Sequence, residues 1–232
     1  VDPTVKVAVL DTGIQPDHED LTHVESPVPF SDDTDGHGTA VAGIISATGN
    51  NGKGVTGVCQ GVTLVNLKIA PGSQGTLATG VNYARTHGYP IANISHLYNP
   101  PITDALRSAL VNAYLAGVLI VACIGNDNPP TPYYPVAQAR EVMAVGALFN
   151  GARWQDTQIP GCPYSAESKT GSWIDVAAPG GRGIATTRWS GYLKTPYFGC
   201  VPCTPGFDDF GGTSAAAPVV SGVAALLESR YP

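Results

Sequence analysis

"VKVAVLDTGI" (residues 5–14) holds six consecutive positions with a single charge, Lys6, and then breaks into an acid, a hydroxyl and a glycine. A strand with one wet face alternates apolar and polar residues; this one does not, so it is expected to be buried on both faces. Other β-branched, apolar runs repeat the pattern: "VTLVNLKI" (62–69), "IANIS" (91–95), "VLIVACI" (118–124), "VMAVGAL" (142–148) and "WIDVAAP" (173–179). Between them lie helical patterns at 38–47, 77–87 and 103–117, and a last one closes the chain from about 213 to 230. Buried strands separated by helices predict an α/β fold: a doubly wound, mostly parallel β-sheet covered by helices on both faces. Residues 1–232 read as one domain. The least regular stretch, about 150–210, reads as long loops around short strands.

Charged side chains make up only 13% of the chain, against 28 glycines and 20 prolines, which describes a turn-rich globular protein. Twelve basic and eighteen acidic residues give a net charge of −6 and a pI near 5.2 without any basic run, which argues against a nucleic-acid partner. The longest apolar stretch, "LAGVLIVACIG" (115–125), is too short to span a bilayer. Of five cysteines, Cys59 and Cys123 sit in strand-like contexts and are expected to be buried thiols. Cys162, Cys200 and Cys203 fall in irregular sequence where a disulfide would suit an oxidising compartment. "CVPC" has no second ligand pair at metal-binding spacing, so metal or redox chemistry is set aside.

In a doubly wound sheet, ligands collect beyond the carboxyl ends of the strands, and the residues there are the ones to examine. Asp11 directly follows the first strand. His37 stands between two glycines at a helix start in "DGHGTAVAGII", and Asn126 follows Gly125 in "VACIGNDN". In "FGGTSAAAPVVSGVAALL" (210–227), Thr213 and Ser214 open a helix of small residues, and Pro218 has no N–H for the carbonyl of Ser214. Taken singly, these are a turn former, an ordinary histidine, a turn amide and a helix cap. Together they make a different set: a carboxylate to orient an imidazole, an imidazole to take a hydroxyl proton, and an amide for an oxyanion. Their chain order, Asp, His, Ser, is that of subtilisin rather than of chymotrypsin or the α/β-hydrolases.

The blocks "VAVLDTGI", "DGHGTAVAGII", "VACIGNDN" and "GGTSAAAPVVSGVAALL" resemble the subtilisin-like serine proteases, the subtilase family, over nearly the whole chain. The resemblance implies a serine endopeptidase with the triad Asp11, His37 and Ser214, and with Asn126 and the Ser214 N–H as oxyanion donors. A peptide ligase using the same acyl-enzyme and an inactive peptide-binding relative are the alternatives. "ANISHLY" resembles the family strand that pairs with an extended peptide substrate, so Ser95, His96, Leu97 and Tyr98, with Cys123, Ile124 and Gly125 opposite, are the expected substrate-binding residues. Relatives usually carry glycine after the Ser-Leu of this strand, whereas here Ser95 is followed by His96, Leu97 and Tyr98, bulk that would reshape the subsites; a loop in which Leu97 and Tyr98 cover the core is the other reading. "ATGNNGKGVTGV" resembles the family's calcium loop, which implies a structural Ca²⁺ held by Asp20, Gly49, Asn51, Lys53 and Val55; a metal-free glycine-rich turn is the other reading. The partners implied are a protein or peptide substrate and a pro-segment outside this sequence. A monomer in a secreted or otherwise extracytoplasmic setting is expected. With ten residues before Asp11 and eighteen after Ser214, the chain reads as a catalytic domain cut from a longer precursor, or one trimmed in processing.

Overall fold

The computed structural model describes residues 2–27, 32–96, 101–126, 136–155, 167–181, 183–188, 191–193 and 210–232, with backbone alone at 188 and 191–193. In chain order the elements are β1 (Lys6–Asp11), β2 (Val24–Glu25), α1 (His37–Ser46), β3 (Thr63–Lys68), α2 (Gln74–Thr86), β4 (Ile91–Ile94) and α3 (Asp104–Leu115). They continue with β5 (Leu119–Cys123), β6 (Val142–Phe149), β7 (Ala152–Arg153), β8 (Val176–Pro179), β9 (Thr186–Arg188), β10 (Gly191–Leu193) and α4 (Thr213–Arg230). One sheet runs β2-β3-β1-β4-β5-β6-β7, with β8 also paired to β6. Its pairings are parallel except β6 with β7. This is the doubly wound α/β architecture expected above.

The uniform hydrophobicity of the strands resolves into two faces. On β1, Ala8 and Leu10 pack with Leu77 and Val81 of α2 and with Leu106 and Leu110 of α3. Val7 and Val9 point the other way, onto Val41 and Ile45 of α1. On β5, Ile120 and Ala122 join the first face. Val121 and Cys123 pack on Ala216 and Ala217 of α4. Burial of each large aliphatic side chain contributes about 1.5–3 kcal/mol, so both faces stabilise the sheet and its register cannot slip.

Helix α2 starts at Gln74, three residues before the expected 77, because Ser73 and Thr76 form a reciprocal cap: Gly75 N–H donates to Ser73 Oγ and Ser73 N–H to Thr76 Oγ1, both at 3.2 Å. Strand β8 begins at Val176 rather than 173, since residues 171–174 close a turn through Ile174 N–H to Gly171 carbonyl. The antiparallel pair β9–β10 is a short ladder within the segment read as loops. No helix among the described residues is long and apolar enough to cross a membrane.

The chain winds from β1 to β3 on one side and returns to β4 on the other, so the strand order reverses between β1 and β4. Such a reversal opens a crevice at the strands' carboxyl ends. Asp11 lies at the end of β1, Ser95 just past β4, and Gly125 and Asn126 just past β5.

Candidate active site

Asp11 is fully buried, and its Oδ1 accepts from Thr12 N–H at 2.8 Å and faces His37 Nδ1 at 2.6 Å. A carboxylate at that distance accepts a hydrogen bond from Nδ1–H, which keeps the proton on Nδ1 and leaves Nε2 with its lone pair free. Burial pushes the imidazole pKa down, but the charge and hydrogen bond of Asp11, with the charges of Asp35 and Asp33, outweigh it and hold the pKa above the ordinary histidine value. Phe210 stands edge-on to the ring, with centroids 5.3 Å apart. Gly38 has a reason beyond leaving room for the imidazole: a Cβ there would lie 2.1 Å from the Gly13 carbonyl oxygen. Only glycine lets the first turn of α1 rest on the exit of β1.

Helix α1 has no cap from the side chain of its own N-cap residue, Gly36, which adopts a left-handed φ of 99°. Its first N–H groups go instead to Asp35 (His37), Thr12 (Gly38) and Asp33 (Thr39), and Asp33 is a residue that sequence reasoning missed. Asp33 Oδ1 accepts from Gly36 N–H (2.8 Å), Asp35 N–H (3.0 Å) and Thr12 Oγ1 (2.9 Å), and Oδ2 from Thr39 N–H (2.9 Å) and Thr39 Oγ1 (2.7 Å). Thr12 Oγ1 in turn accepts from Gly38 N–H at 2.8 Å. Burial works to raise the Asp33 pKa, yet the bonds from Thr39, Gly36 and Asp35 prevail and lower it. One carboxylate thus ties the helix carrying His37 to the strand carrying Asp11. The available signal was an acid four residues before His37, at a helix entrance that favours negative charge.

Ser214 is the second residue of α4 and is 8% exposed. At that place in a helix its N–H has no intrahelical acceptor. Its hydroxyl donates to the Ser95 carbonyl at 3.1 Å, and no hydrogen bond joins it to His37. The structure therefore brings Asp11 and His37 together and leaves the Ser214 hydroxyl turned toward β4. Asn126 Oδ1 accepts from Thr213 N–H (2.9 Å) and Thr213 Oγ1 (2.8 Å). A backbone N–H can only donate, so this contact fixes which end of the amide is oxygen and turns Nδ2 outward as a donor. Gly212, with φ 78°, sits against that amide: a Cβ would fall 2.7 Å from Asn126 Nδ2. Thr213, read beforehand only as a cap, is what aims Asn126.

The remaining expected substrate residues divide. Ser95 lies at the crevice and is 2% exposed, so it meets the crevice through its backbone. His96 is half-buried; burial holds its pKa below the ordinary histidine value, assisted by the charge of His37 and opposed by Asp11 and Asp35. Leu97 and Tyr98 lie outside the described residues, as do Cys162, Cys200 and Cys203. The side chains of Cys123 and Ile124 go into the two core faces, which leaves only backbone exposed to the crevice at the end of β5. Cys59 and Cys123 are free, buried thiols. Burial and the charge of Asp11, opposed by the hydroxyls of Ser214 and Thr213, push the Cys123 thiol up to about 12, too high for it to compete as a nucleophile.

The expected calcium ligands do not form a cage. Asp20 Oδ1 accepts from Asn51 Nδ2 at 2.7 Å and Oδ2 from Val55 N–H at 3.0 Å, while Asn51 Oδ1 accepts from Lys53 N–H at 3.0 Å. Calcium requires converging oxygen atoms, whereas here N–H donors meet the carboxylate. The Lys53 ammonium pairs with Glu19 at 2.8 Å. With both oxygens of Asp20 and Oδ1 of Asn51 taken by N–H donors, these side chains close the loop on protein groups rather than converge on an ion. Accordingly, EDTA and added calcium are expected to leave the thermal melt unchanged; a rise in Tm with calcium, as linkage demands of a ligand bound only to the native state, would restore the metal.

The subtilase family pattern matches residues 2–232. The chain belongs to the subtilase family. It is 32% identical to Subtilisin DY of Bacillus licheniformis, over 98% of this chain and 78% of that protein. It is 35% identical to M-protease of Shouchella clausii (strain KSM-K16), over 98% of this chain but 55% of the relative, so it spans about half the length of that subtilase. The crystal structure of MycP1 with its N-terminal propeptide removed superimposes with a TM-score of 0.73 at 27% identity, covering 99% of this chain and 78% of that one. As a subtilase the chain is a subtilisin-like serine endopeptidase.

Proposed function

We propose that this subtilase cleaves peptide bonds through an acyl-enzyme on Ser214, with His37 as base and acid, Asp11 as its orienting carboxylate, and Asn126 with the Ser214 N–H as oxyanion donors. The observation that carries the reading is the 2.6 Å contact between Asp11 and His37 Nδ1, which leaves Nε2 as the only proton acceptor of the ring. Turnover requires the Ser214 hydroxyl to leave the Ser95 carbonyl by rotation about Cα–Cβ and to meet Nε2. As Oγ attacks the substrate carbonyl carbon, its proton passes to Nε2 and the carbonyl π electrons go to oxygen. The oxyanion accepts from Asn126 Nδ2 and the Ser214 N–H. Collapse expels the amine, which takes the proton from the imidazolium. Water then repeats the sequence on the ester and frees Ser214.

A diverse peptide library, read by mass spectrometry, tests the reaction: new N and C termini are the expected products, and predominant joined or cyclic peptides would assign the acyl-enzyme to ligation instead. Asn126→Leu is expected to lower kcat by roughly 10²–10³ with little change in KM, because its donor acts on charge that exists only in the transition state. A loss confined to KM would remove Asn126 from the oxyanion hole. The substrate is an extended peptide laid along the exit of β4, where Ser95 and His96 stand. The protein is secreted as a zymogen and acts as a monomer after losing a pro-segment; the N-terminal propeptide of MycP1 supports the pro-segment.

A further inference from the structure

Behind Ser214 runs a line of buried polar groups that the reaction above does not use. Ser221 Oγ donates to Asn93 Oδ1 at 2.9 Å, Asn93 Nδ2 donates to Ser95 Oγ at 3.0 Å, and Ser95 Oγ donates to the Ser214 carbonyl at 3.0 Å. Asn93 and Ser221 are fully buried and Ser95 nearly so. Asn93 stands in β4 in register with Val9 and Val121, on the face that packs against α1 and α4, where an aliphatic residue would be the default. A buried amide there is tolerated only because its oxygen and nitrogen both find partners.

The direction of the line follows from its chemistry. The Ser214 carbonyl can only accept, so the Ser95 hydroxyl spends its proton there and must itself accept from Asn93, which sets the amide nitrogen toward Ser95 and its oxygen toward Ser221. The acceptor is free because Pro218 has no N–H to complete the helical bond to that carbonyl. In return the Ser214 hydroxyl donates to the Ser95 carbonyl, so the two serines hold each other at two points. Aligned donors polarise one another, and their combined pull is on the peptide plane that sets where the Ser214 Cβ stands.

We propose that Ser221, Asn93 and Ser95 are positioning residues that fix the backbone of Ser214 through its carbonyl, and so place its hydroxyl between the imidazole and the exit of β4. This rests on the reading of Ser214 as the nucleophile. A misplacement of about 1 Å at a reacting atom costs on the order of 10²-fold in rate. The experiment measures acylation by a serine-directed phosphonate, kcat and KM on a peptide, and Tm, for S95A, N93D, S221A and S214A. S95A is expected to acylate roughly 10- to 10²-fold more slowly with KM little changed. N93D keeps the volume but cannot donate to Ser95, whose hydroxyl turns to the new carboxylate and leaves Ser214; a loss near that of S95A is expected. S221A, at the far end, is expected to lose less, in the same step. Should S95A or N93D fail to fold, S221A decides. Tm losses with acylation at the parental rate would mean that the line only packs α4 on the sheet, which overturns the proposal. Labelling that disappears in S214A but persists undiminished in S95A and S221A overturns the relay alone. Labelling that survives in S214A overturns the nucleophile and the relay together.

Discussion

Replacing Ser214 by alanine is expected to lower kcat on the order of 10⁶-fold and to abolish labelling by serine-directed phosphonates, the scale that subtilisin itself sets for loss of its nucleophile. The alternative nucleophiles near the crevice are poor ones. Cys123 is 2% exposed, with its thiol pushed up to about 12, and Ser221 is fully buried and donates to Asn93. Thr213 is fully buried, its hydroxyl committed to Asn126. Among the described residues, Ser214 alone combines a helix-start N–H, a neighbouring amide donor and a hydroxyl that can leave the carbonyl it donates to. The variant should fold, because the lost hydroxyl is one donor whose acceptor, the Ser95 carbonyl, lies at an open crevice. Unchanged KM with vanished kcat is the expected signature. Phosphonate labelling of S214A at any appreciable rate would place the acyl group on another residue.

The fold was legible because five of its strands are buried on both faces. Uninterrupted apolar runs such as "VKVAVL" have few other uses, and the glycines and acids that follow them mark the strand ends. What escaped is held by distant partners. Short strands are expected in the glycine- and proline-rich stretch that holds β9 and β10, but it has no pattern of its own to place them. Their place is set by Thr186 Oγ1 donating to the Ala40 carbonyl and Thr187 Oγ1 to the Thr39 carbonyl, both in α1. Two-residue strands such as β2 and β7 are too short for any period to register.

At the proposed site, residue type and strand-end position nominated Asp11, His37, Ser214 and Asn126 as candidates. Orientation was not available from them. The aim of the Asn126 amide depends on Thr213, and the seat of His37 on Asp33, which reads as one of several acids in "SDDTDG" until its carboxylate is seen collecting N–H groups from α1. The calcium loop shows the opposite limit. Resemblance supplied oxygen-bearing residues at the right spacing, but affinity depends on which atoms converge, and an asparagine presents nitrogen or oxygen with equal ease.

Asp11 carries the second large effect. Asp11→Ala is expected to lower kcat by roughly 10⁴-fold, the cost of losing the orienting carboxylate in a serine protease. Two contributions are lost at once, the tautomer and the charge, and Asp11→Asn separates them. In the native site Oδ1 accepts from both Thr12 N–H and His37 Nδ1, so an asparagine would keep its oxygen toward that pair of donors and hold the base form with Nε2 free. Its nitrogen would fall where Oδ2 is, a buried atom without a hydrogen-bond partner among the described residues, and would be unsatisfied there. The charge that stabilises the imidazolium is gone in either variant. The pH profile gives the sign: Asp11 raises the His37 pKa against burial, so without it burial prevails and the pKa falls. Activity requires the neutral ring, so the acid limb of kcat/KM, which in the parent lies above the ordinary histidine range, should move to lower pH in Asp11→Asn even as the plateau drops. Measured from about pH 5 to 9, a dropped plateau with an unmoved acid limb would mean that the titrating base is not the imidazole Asp11 holds.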